Sequence, residues 1–390
     1  MGRTKRARNK KSANNDNIVE NNLDPDYNSS IIELLKWLGI KTQLQLFNFP
    51  QTGRGLRTQK LIKANEFLIS VPLDKMITRT AIQHWYPKHW STQLMLSCFL
   101  IQKNDEKSDY WTVYKRTLPR TYDVPFFDCP QELLEELPNS LKQLIENQSR
   151  LIHKQYEFCK KFLVSIDIQT FAWAWFTVNT RGVYFPDNND NLALAPYLDM
   201  FNHNPNVKVE IKIQDDKYLI KSIQNWPKYG QVFINYGPHD NTKLYLEYGF
   251  VITDHPYDCV PLDIHDLILI KKTDIENIEK KINFIKNNHL NDNLKIFNTD
   301  EIVSWSVLAC FYILDSFDVQ KLFKVFEAEL HIKNYQFEVR SLIEYQLKQV
   351  KKAQKKCFHQ KTCQKSKILP KLLDIYHRLC EQSLNQVNHL

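Results

Sequence analysis

The chain has 390 residues, of which 43% are hydrophobic and 25% are charged, and its length favours two globular parts with large buried cores. Only 8 residues are glycine, and neither GxGxxG nor GxxxxGK-S/T occurs, so a glycine-rich nucleotide-binding fold is not expected. The longest apolar stretch, residues 303–314, is shorter than the ~18 residues that a spanning helix needs, and no hydrophobic run follows the basic N-terminus. We expect a protein of the cytoplasm, the nucleus or both, without membrane contact.

The net charge of +8 is concentrated in two segments. Residues 1–12 contain six Lys or Arg, residues 345–373 contain nine Lys, and neither segment contains an acidic residue. The remaining 37 basic residues are fewer than the 44 acidic ones, so the folded body is mildly acidic. Direct nucleic-acid binding is therefore not expected except through the N-terminal tail, which is an import signal, a nucleic-acid-contacting arm or a solvated tail.

A metal site is not predicted. None of the eight cysteines forms a CxxC pair, and the close pair Cys357 and Cys363 has only His359 beside it, which leaves a zinc site incomplete. His203 and His239 also lack partners at ligand spacing. Reduced, mostly buried thiols are expected.

The first half of the chain begins polar and becomes helical. Residues 1–28 are Asn-rich and predict a disordered tail. A Ser cap and apolar residues at helical spacing predict a helix over 29–40. A turn-rich strand entry at 52–58 and a strand at 66–72 follow, and the pattern from about 80 to 178 is helical.

Strand patterns return after this helical insertion. Residues 207–213 alternate apolar and charged side chains, and residues 218–223 follow after a short turn, so the two segments predict a hairpin with one wet face. Residues 231–236 predict a third strand, and residues 241–250 predict a short helix.

The rest of the chain is predicted to be helical, with one helix opening at a capping box formed by Thr273 and Glu276. The order of elements indicates an α+β protein. We divide it into the tail, a first lobe over 29–255 and an all-helical lobe over 256–390.

Two polar motifs follow apolar segments: "APYLDMFNHNPN" at 195–206 and "FINYGPHDN" at 233–241. No G-x-S-x-G elbow supports a Ser-His-Asp hydrolase, and Asp199 has no second carboxylate beside it. The remaining Tyr, Asn, Arg and aromatic residues suit a reaction that needs little acid–base power. Methyl transfer from a sulfonium is such a reaction, because aromatic walls tolerate its charge and the enzyme mainly aligns the reactants.

Five segments together resemble the SET-domain lysine methyltransferases of the Rubisco large-subunit methyltransferase-like class. They are "TGRGL" (52–56), "LISVP" (68–72), "WAWFTVNTRGVY" (173–184), "ALAPYLDMFNHNPNV" (193–207) and "VFINYGPHDNTKLYLEYGFV" (232–251). The resemblance implies a SET domain of short strands with a knot-like crossing of the two motifs and a helical insertion. It also implies S-adenosyl-L-methionine as methyl donor, no metal, and a C-terminal helical lobe that binds the substrate.

The resemblance also implies site roles. Tyr236 would be the catalytic residue and would contact the donor. Tyr248 and Phe250 would wall the lysine channel, although both could simply be core residues. Asp199 could equally cap its loop, and Arg181 could pair with a surface acid. The implied donor-binding residues are Glu66, Phe67, Leu68, Arg181, Asp199, Asn202, His203 and Tyr236.

The expected activity is methylation of a lysine in a protein substrate, a histone or another protein, by an enzyme that is monomeric. A first alternative is a protein-histidine methyltransferase on the same fold. The resemblance disfavours it, because actin-histidine-modifying relatives carry an amide where this chain has Val183. A second alternative is a non-catalytic interaction protein that keeps the fold.

Overall fold

The structure, a computed structural model, shows the expected mixture of short strands and helices. Most of the predicted tail, Cys363 and the predicted capping box of Thr273 and Glu276 lie outside the residues it describes. The described residues are 25–102, 110–163, 165–186, 191–271, 277–297, 299–316, 318–359 and 366–390.

Twelve strands occur in these described residues, and none contains more than six residues. They are β1 (Leu44–Phe49), β2 (Gly53–Thr58), β3 (Phe67–Pro72), β4 (Ile77–Thr78), β5 (Gly182–Tyr184), β6 (Leu192–Leu194), β7 (Asn202–His203), β8 (Val209–Gln214), β9 (Lys217–Ser222), β10 (Gln231–Ile234), β11 (Cys259–Pro261) and β12 (Lys295–Phe297).

Helices fill the insertion between β4 and β5 and most of the C-terminal region. None of the described helices is long and apolar enough to cross a membrane. The α-helices are α1 (Pro25–Leu38), α2 (Arg79–Ile82), α3 (Thr92–Ile101), α4 (Tyr110–Lys115), α5 (Pro125–Asp128), α6 (Gln131–Leu134), α7 (Asn139–Phe162), α8 (Ile168–Arg181), α9 (Asn241–Lys243), α10 (Ile264–Lys271), α11 (Ile278–Asn287), α12 (Trp305–Asp315), α13 (Gln336–His359) and α14 (Leu369–Asn388).

Helix α1 begins at Pro25, so the prediction of disorder through residue 28 was wrong for its last four residues. Proline suits the first turn of a helix, because its fixed φ is already helical and its missing N–H has no partner there in any case. The helix ends before Gly39, whose φ of +65° is the left-handed conformation that terminates many helices.

The predicted hairpin is confirmed as β8 and β9, which pair from Val209↔Ser222 to Gln214↔Lys217. Asp215 and Asp216 both have positive φ, +52° and +54°, as a two-residue turn between twisted strands requires. β9 lies between β3 and β8, so β8 is an edge strand, and its last four residues are exposed.

The two polar motifs meet in a four-stranded sheet of order β1-β2-β10-β7. β10 is antiparallel to β2 and parallel to β7, with Phe233 opposite Asn202 and Ile234 opposite His203. A parallel pair cannot be joined by a tight turn, so the chain makes the β8–β9 hairpin before it returns. The motifs therefore run side by side, as the predicted knot-like crossing requires.

Buried apolar side chains form two clusters. The first packs the insertion helices α3 and α8 against the sheets. The second holds the C-terminal helices and also includes Leu133 and Leu141 of the insertion and Tyr245. The predicted helical C-terminal lobe is confirmed, with the short ladder of β11 and β12 added to it. Three-residue strands carry too little pattern to be recognised in a sequence.

Candidate functional site

Tyr236 lies just beyond the end of β10, with its ring between two other rings. It stacks on His203 and on Tyr248, with centroid separations of 5.0 Å and 5.4 Å. Its main-chain N–H donates to Nδ1 of His203 at 3.0 Å, and its hydroxyl donates to the carbonyl oxygen of Phe201. Burial raises the pKa of Tyr236 above its usual value, so the hydroxyl stays protonated at neutral pH.

The side chain of Asn202 links β7 to the start of β2 by hydrogen bonds. Its Nδ2 donates to the carbonyl oxygens of Thr52 at 3.3 Å and Arg54 at 3.1 Å. A Cβ at Gly55 would lie 2.6 Å from this Nδ2, so the glycine makes room for the amide of Asn202. The side chain of Asn202 thus makes its hydrogen bonds within the protein. The expected contact of its main chain with the methyl donor stays a prediction.

Arg181 and Asp199 form a buried ion pair. Nη1 of Arg181 donates to Oδ2 of Asp199 at 3.0 Å and to its main-chain oxygen at 3.1 Å. The Arg181 side chain is 13% exposed and that of Asp199 is 0% exposed. The acid that pairs with Arg181 is therefore an interior one and not a surface one.

Tyr114 is a third member of this group that the sequence did not reveal. Its hydroxyl donates to Oδ2 of Asp199 at 2.7 Å, and the whole residue is buried. It lies on α4 in the helical insertion, 85 residues before Asp199. Helical spacing of aromatic residues indicates only that Tyr114 belongs to a core, so no sequence signal would have linked it to the site.

Two cavities meet at the crossing, and they enclose about 650 Å³ and 950 Å³ including their open mouths. Both are lined by Thr180, Arg181, Asp199, Tyr236 and Tyr248. The first, which we call the apolar cavity, is completed by Gly182, Val183, Tyr184, Leu198, Phe201, Val209, Ile211, Tyr218, Ile220, Ile234 and Asn235. The second, which we call the polar cavity, is completed by Leu46, Thr52, Arg54, Pro119, Thr121, Tyr122, Asp123, Met200, Asn202, Gly249 and Phe250.

These linings gather most of the predicted site residues but not all of them. Phe250 lines only the polar cavity, and His203 lies behind Tyr236. Residues 66–68 line neither cavity: the carbonyl of Glu66 accepts from Ser222, Phe67 is 53% exposed and Leu68 is buried. Their predicted donor contact stays a prediction.

No residue beyond Phe250 is among the described residues that line the two cavities. The substrate-binding role of the C-terminal lobe therefore also stays a prediction. Across the described ranges, no group of three or more His, Cys, Asp or Glu is placed to hold a metal ion.

The class of protein is now defined: the chain belongs to the SET-domain family. The SET domain model matches residues 53–237, which include Gly55, the first motif and the second motif as far as Gly237. Human SET domain-containing protein 4 is 32% identical over 348 residues, which cover 80% of this chain and 78% of that protein.

Two further comparisons show the range of the family. The actin-histidine N-methyltransferase of Xenopus tropicalis is 25% identical over 267 residues, covering 61% of this chain and 46% of that protein. The solved SET domain of LSMT bound to lysine and AdoHcy superposes with a TM-score of 0.63 at 18% identity, covering 93% of each chain. The chain therefore has the SET-domain methyltransferase fold, and its relatives include enzymes that act on histidine.

His203 makes the stability of the site dependent on pH. Burial, and then the neighbouring His255 and His239, lower the pKa of His203 to about 4 from an ordinary value of 6.5. The unfolded chain takes up this proton below pH 6.5 while the folded chain does not. Stability is therefore full above pH 6.5 and is lost as the pH falls toward 4.

The measurement is the free energy of urea unfolding at pH 7 and at pH 4.5, for the natural protein and for His203→Phe. Phenylalanine keeps a ring against Tyr236 but cannot titrate. All other titrating groups are shared, so the difference between the two falls reports His203 together with its coupling to His255 and His239. We expect the smaller fall in His203→Phe, and equal falls would contradict the assignment.

Proposed function

We propose that this protein transfers a methyl group from S-adenosyl-L-methionine to a lysine side chain of a protein substrate. The observation that carries the proposal is the pair of cavities that share Arg181, Asp199 and Tyr236. Because the two cavities share these residues, a methyl donor bound in one cavity and an acceptor bound in the other would face each other across them. Holding the two reactants in that alignment lowers the barrier without strong acid–base catalysis.

The polar cavity suits the donor. Its amino-acid end has a carboxylate and an ammonium group, and Arg181 and Asp199 have the complementary charges. Oδ1 of Asp199 is buried and has no hydrogen-bond partner among the described residues. Tyr248 and Phe250 provide aromatic faces that tolerate a sulfonium. When bound, S-adenosyl-L-methionine supplies a methyl group that its positive sulfur has already activated.

The apolar cavity suits the acceptor. Leu198, Ile220 and Ile234 offer hydrocarbon against which a lysine stem can lie. Removing the amine from water disfavours its charged form and lowers its pKa from ~10.4 toward neutrality, which frees the lone pair for attack. The hydroxyl of Tyr236, fixed by its bond to Phe201, is a polar group at the junction that can orient the amine.

Val183 favours lysine over histidine. It lines the apolar cavity, and its isopropyl group offers no hydrogen bond to an imidazole. The histidine alternative remains the second candidate, because an actin-histidine N-methyltransferase is among the relatives. A non-catalytic role is disfavoured, since Tyr236, Asn202 and His203 are all present at the crossing.

Val183→Asn is expected to reduce lysine methylation and raise histidine methylation. An amide left unpaired against apolar walls costs about 1–3 kcal/mol, which corresponds to roughly 5- to 150-fold in transfer to lysine. An imidazole could accept that amide as a partner. The measurement is the ratio of methyllysine to methylhistidine formed in cell-extract proteins. Val183→Ala, which only removes bulk, should leave that ratio unchanged, and an unchanged ratio in Val183→Asn would remove Val183 from specificity.

The proposed function is tested by incubating the purified protein with methyl-labelled S-adenosyl-L-methionine and either cell extract or purified histones. We expect label in protein that is released as methyllysine on hydrolysis, and identification of the labelled proteins gives the substrate. Label found only in methylhistidine would favour the histidine alternative. Absence of transfer together with absence of donor binding would favour the non-catalytic one.

A further inference from the structure

The carboxylate of Asp199 is held unevenly. Its Oδ2 accepts one hydrogen bond from Arg181 at 3.0 Å and a second from Tyr114 at 2.7 Å. Its Oδ1 is buried and has no partner among the residues that the structure describes. Two donors on one oxygen fix the rotation of the carboxylate.

Tyr114 can serve only as a donor here. Burial raises its pKa well above the usual range, and the nearby charge of Asp199 raises it further, so the hydroxyl keeps its proton. The residue lines neither cavity, so it touches neither a donor nor an acceptor bound there. Any influence that it has on the site passes through Asp199 and Arg181.

We propose that Tyr114 is a positioning residue that fixes the Asp199 carboxylate and thereby keeps the Arg181 guanidinium available to the methyl donor. With Tyr114 present, Asp199 satisfies Oδ2 with two donors and Arg181 is shared between Asp199 and a ligand carboxylate. Without the hydroxyl, Arg181 is the one of these two donors that remains on the Asp199 carboxylate. The carboxylate then draws the guanidinium away from the polar cavity. The role of Arg181 toward the donor rests on the proposed function.

The inference links the helical insertion to the site. Tyr114 lies on α4, whereas Arg181 ends α8 and Asp199 precedes β7. Through the hydroxyl of Tyr114, a helix of the insertion therefore contacts Asp199 directly and Arg181 by way of Asp199. It makes the insertion a part of the donor site without placing any residue of α4 in a cavity.

The test is the affinity for S-adenosylhomocysteine, measured by calorimetry, which does not depend on turnover. Tyr114→Phe keeps the ring and removes one oxygen. Loss of a hydrogen bond to a charged group should weaken binding about 10-fold. The matched control is Tyr376→Phe, which removes another fully buried hydroxyl, one bonded to Thr242 in the second apolar cluster. The control should bind as the natural protein does.

A thermodynamic cycle separates positioning from general damage to the fold. In an Asp199→Asn background the buried charge is gone, so adding Tyr114→Phe should cause no further loss of affinity. A further 10-fold loss in that background would overturn the inference, as would unchanged affinity in Tyr114→Phe alone. Both variants of this comparison leave Arg181 without its carboxylate partner, so the cost of that unpaired charge cancels between them, and the comparison holds even if Tyr114→Phe alone does not fold. Failure of the natural protein to bind S-adenosylhomocysteine would instead refute the proposed function.

Discussion

Tyr236→Phe is expected to slow methyl transfer by about 10²–10³-fold while donor affinity survives, because removal of one preorganised polar group typically costs that much in rate. The ring keeps its contacts with His203 and Tyr248, and its main-chain bond to His203 does not involve the hydroxyl. Within the described part of the chain, the hydroxyl loses only its bond to the carbonyl of Phe201. A group that acts mainly in the transition state changes the rate constant and not the binding of the ground state.

The measurement pairs single-turnover transfer to a labelled substrate with calorimetry of donor binding. Tyr156→Phe is a suitable control, because it removes a hydroxyl that bonds to the carbonyl of Ile166 at 3.0 Å and lines neither cavity. The control should turn over normally. Turnover in Tyr236→Phe equal to that of the natural protein would remove the hydroxyl from the mechanism and reduce Tyr236 to a packing residue.

Arg181→Ala is expected to lower the free energy of unfolding by about 3–5 kcal/mol, because one partner of a buried ion pair is removed. Asp199 would keep Tyr114 as a donor but would have lost the charge that balances it. Donor binding should fall as well, since the guanidinium is the predicted partner of the donor carboxylate. Urea unfolding and calorimetry measure the two losses separately.

The double variant Arg181→Met/Asp199→Asn distinguishes the two causes. Both charges are gone, so most of the lost stability should return, while donor binding should remain weak. If Arg181→Ala unfolded at the same urea concentration as the natural protein, the ion pair would not contribute to the stability of the fold. Recovery of donor binding in the double variant would show that Arg181 does not hold the donor.

The sequence by itself was enough for the class of fold and for the meeting of the two polar motifs. Alternation over 207–213 predicted the hairpin, and helical spacing predicted the insertion and the helical lobe, because these patterns arise within a single element. The family resemblance of the two polar motifs implied that Asn202, His203 and Tyr236 belong together. The parallel pairing of β7 with β10 places them side by side.

Only the tertiary structure decided which side chains share a bond across long separations. Asn202 reaches Thr52 across 150 residues, and Tyr114 reaches Asp199 across 85. The tertiary structure also decided that two cavities have lining residues in common, and that residues 66–68 line neither of them. Periodicity reports which face of an element is buried, but the partner of a buried hydroxyl or carboxylate depends on how whole elements pack. A buried polar group has few possible hydrogen-bond partners, and in this fold the packing of whole elements decides which of them lies within reach.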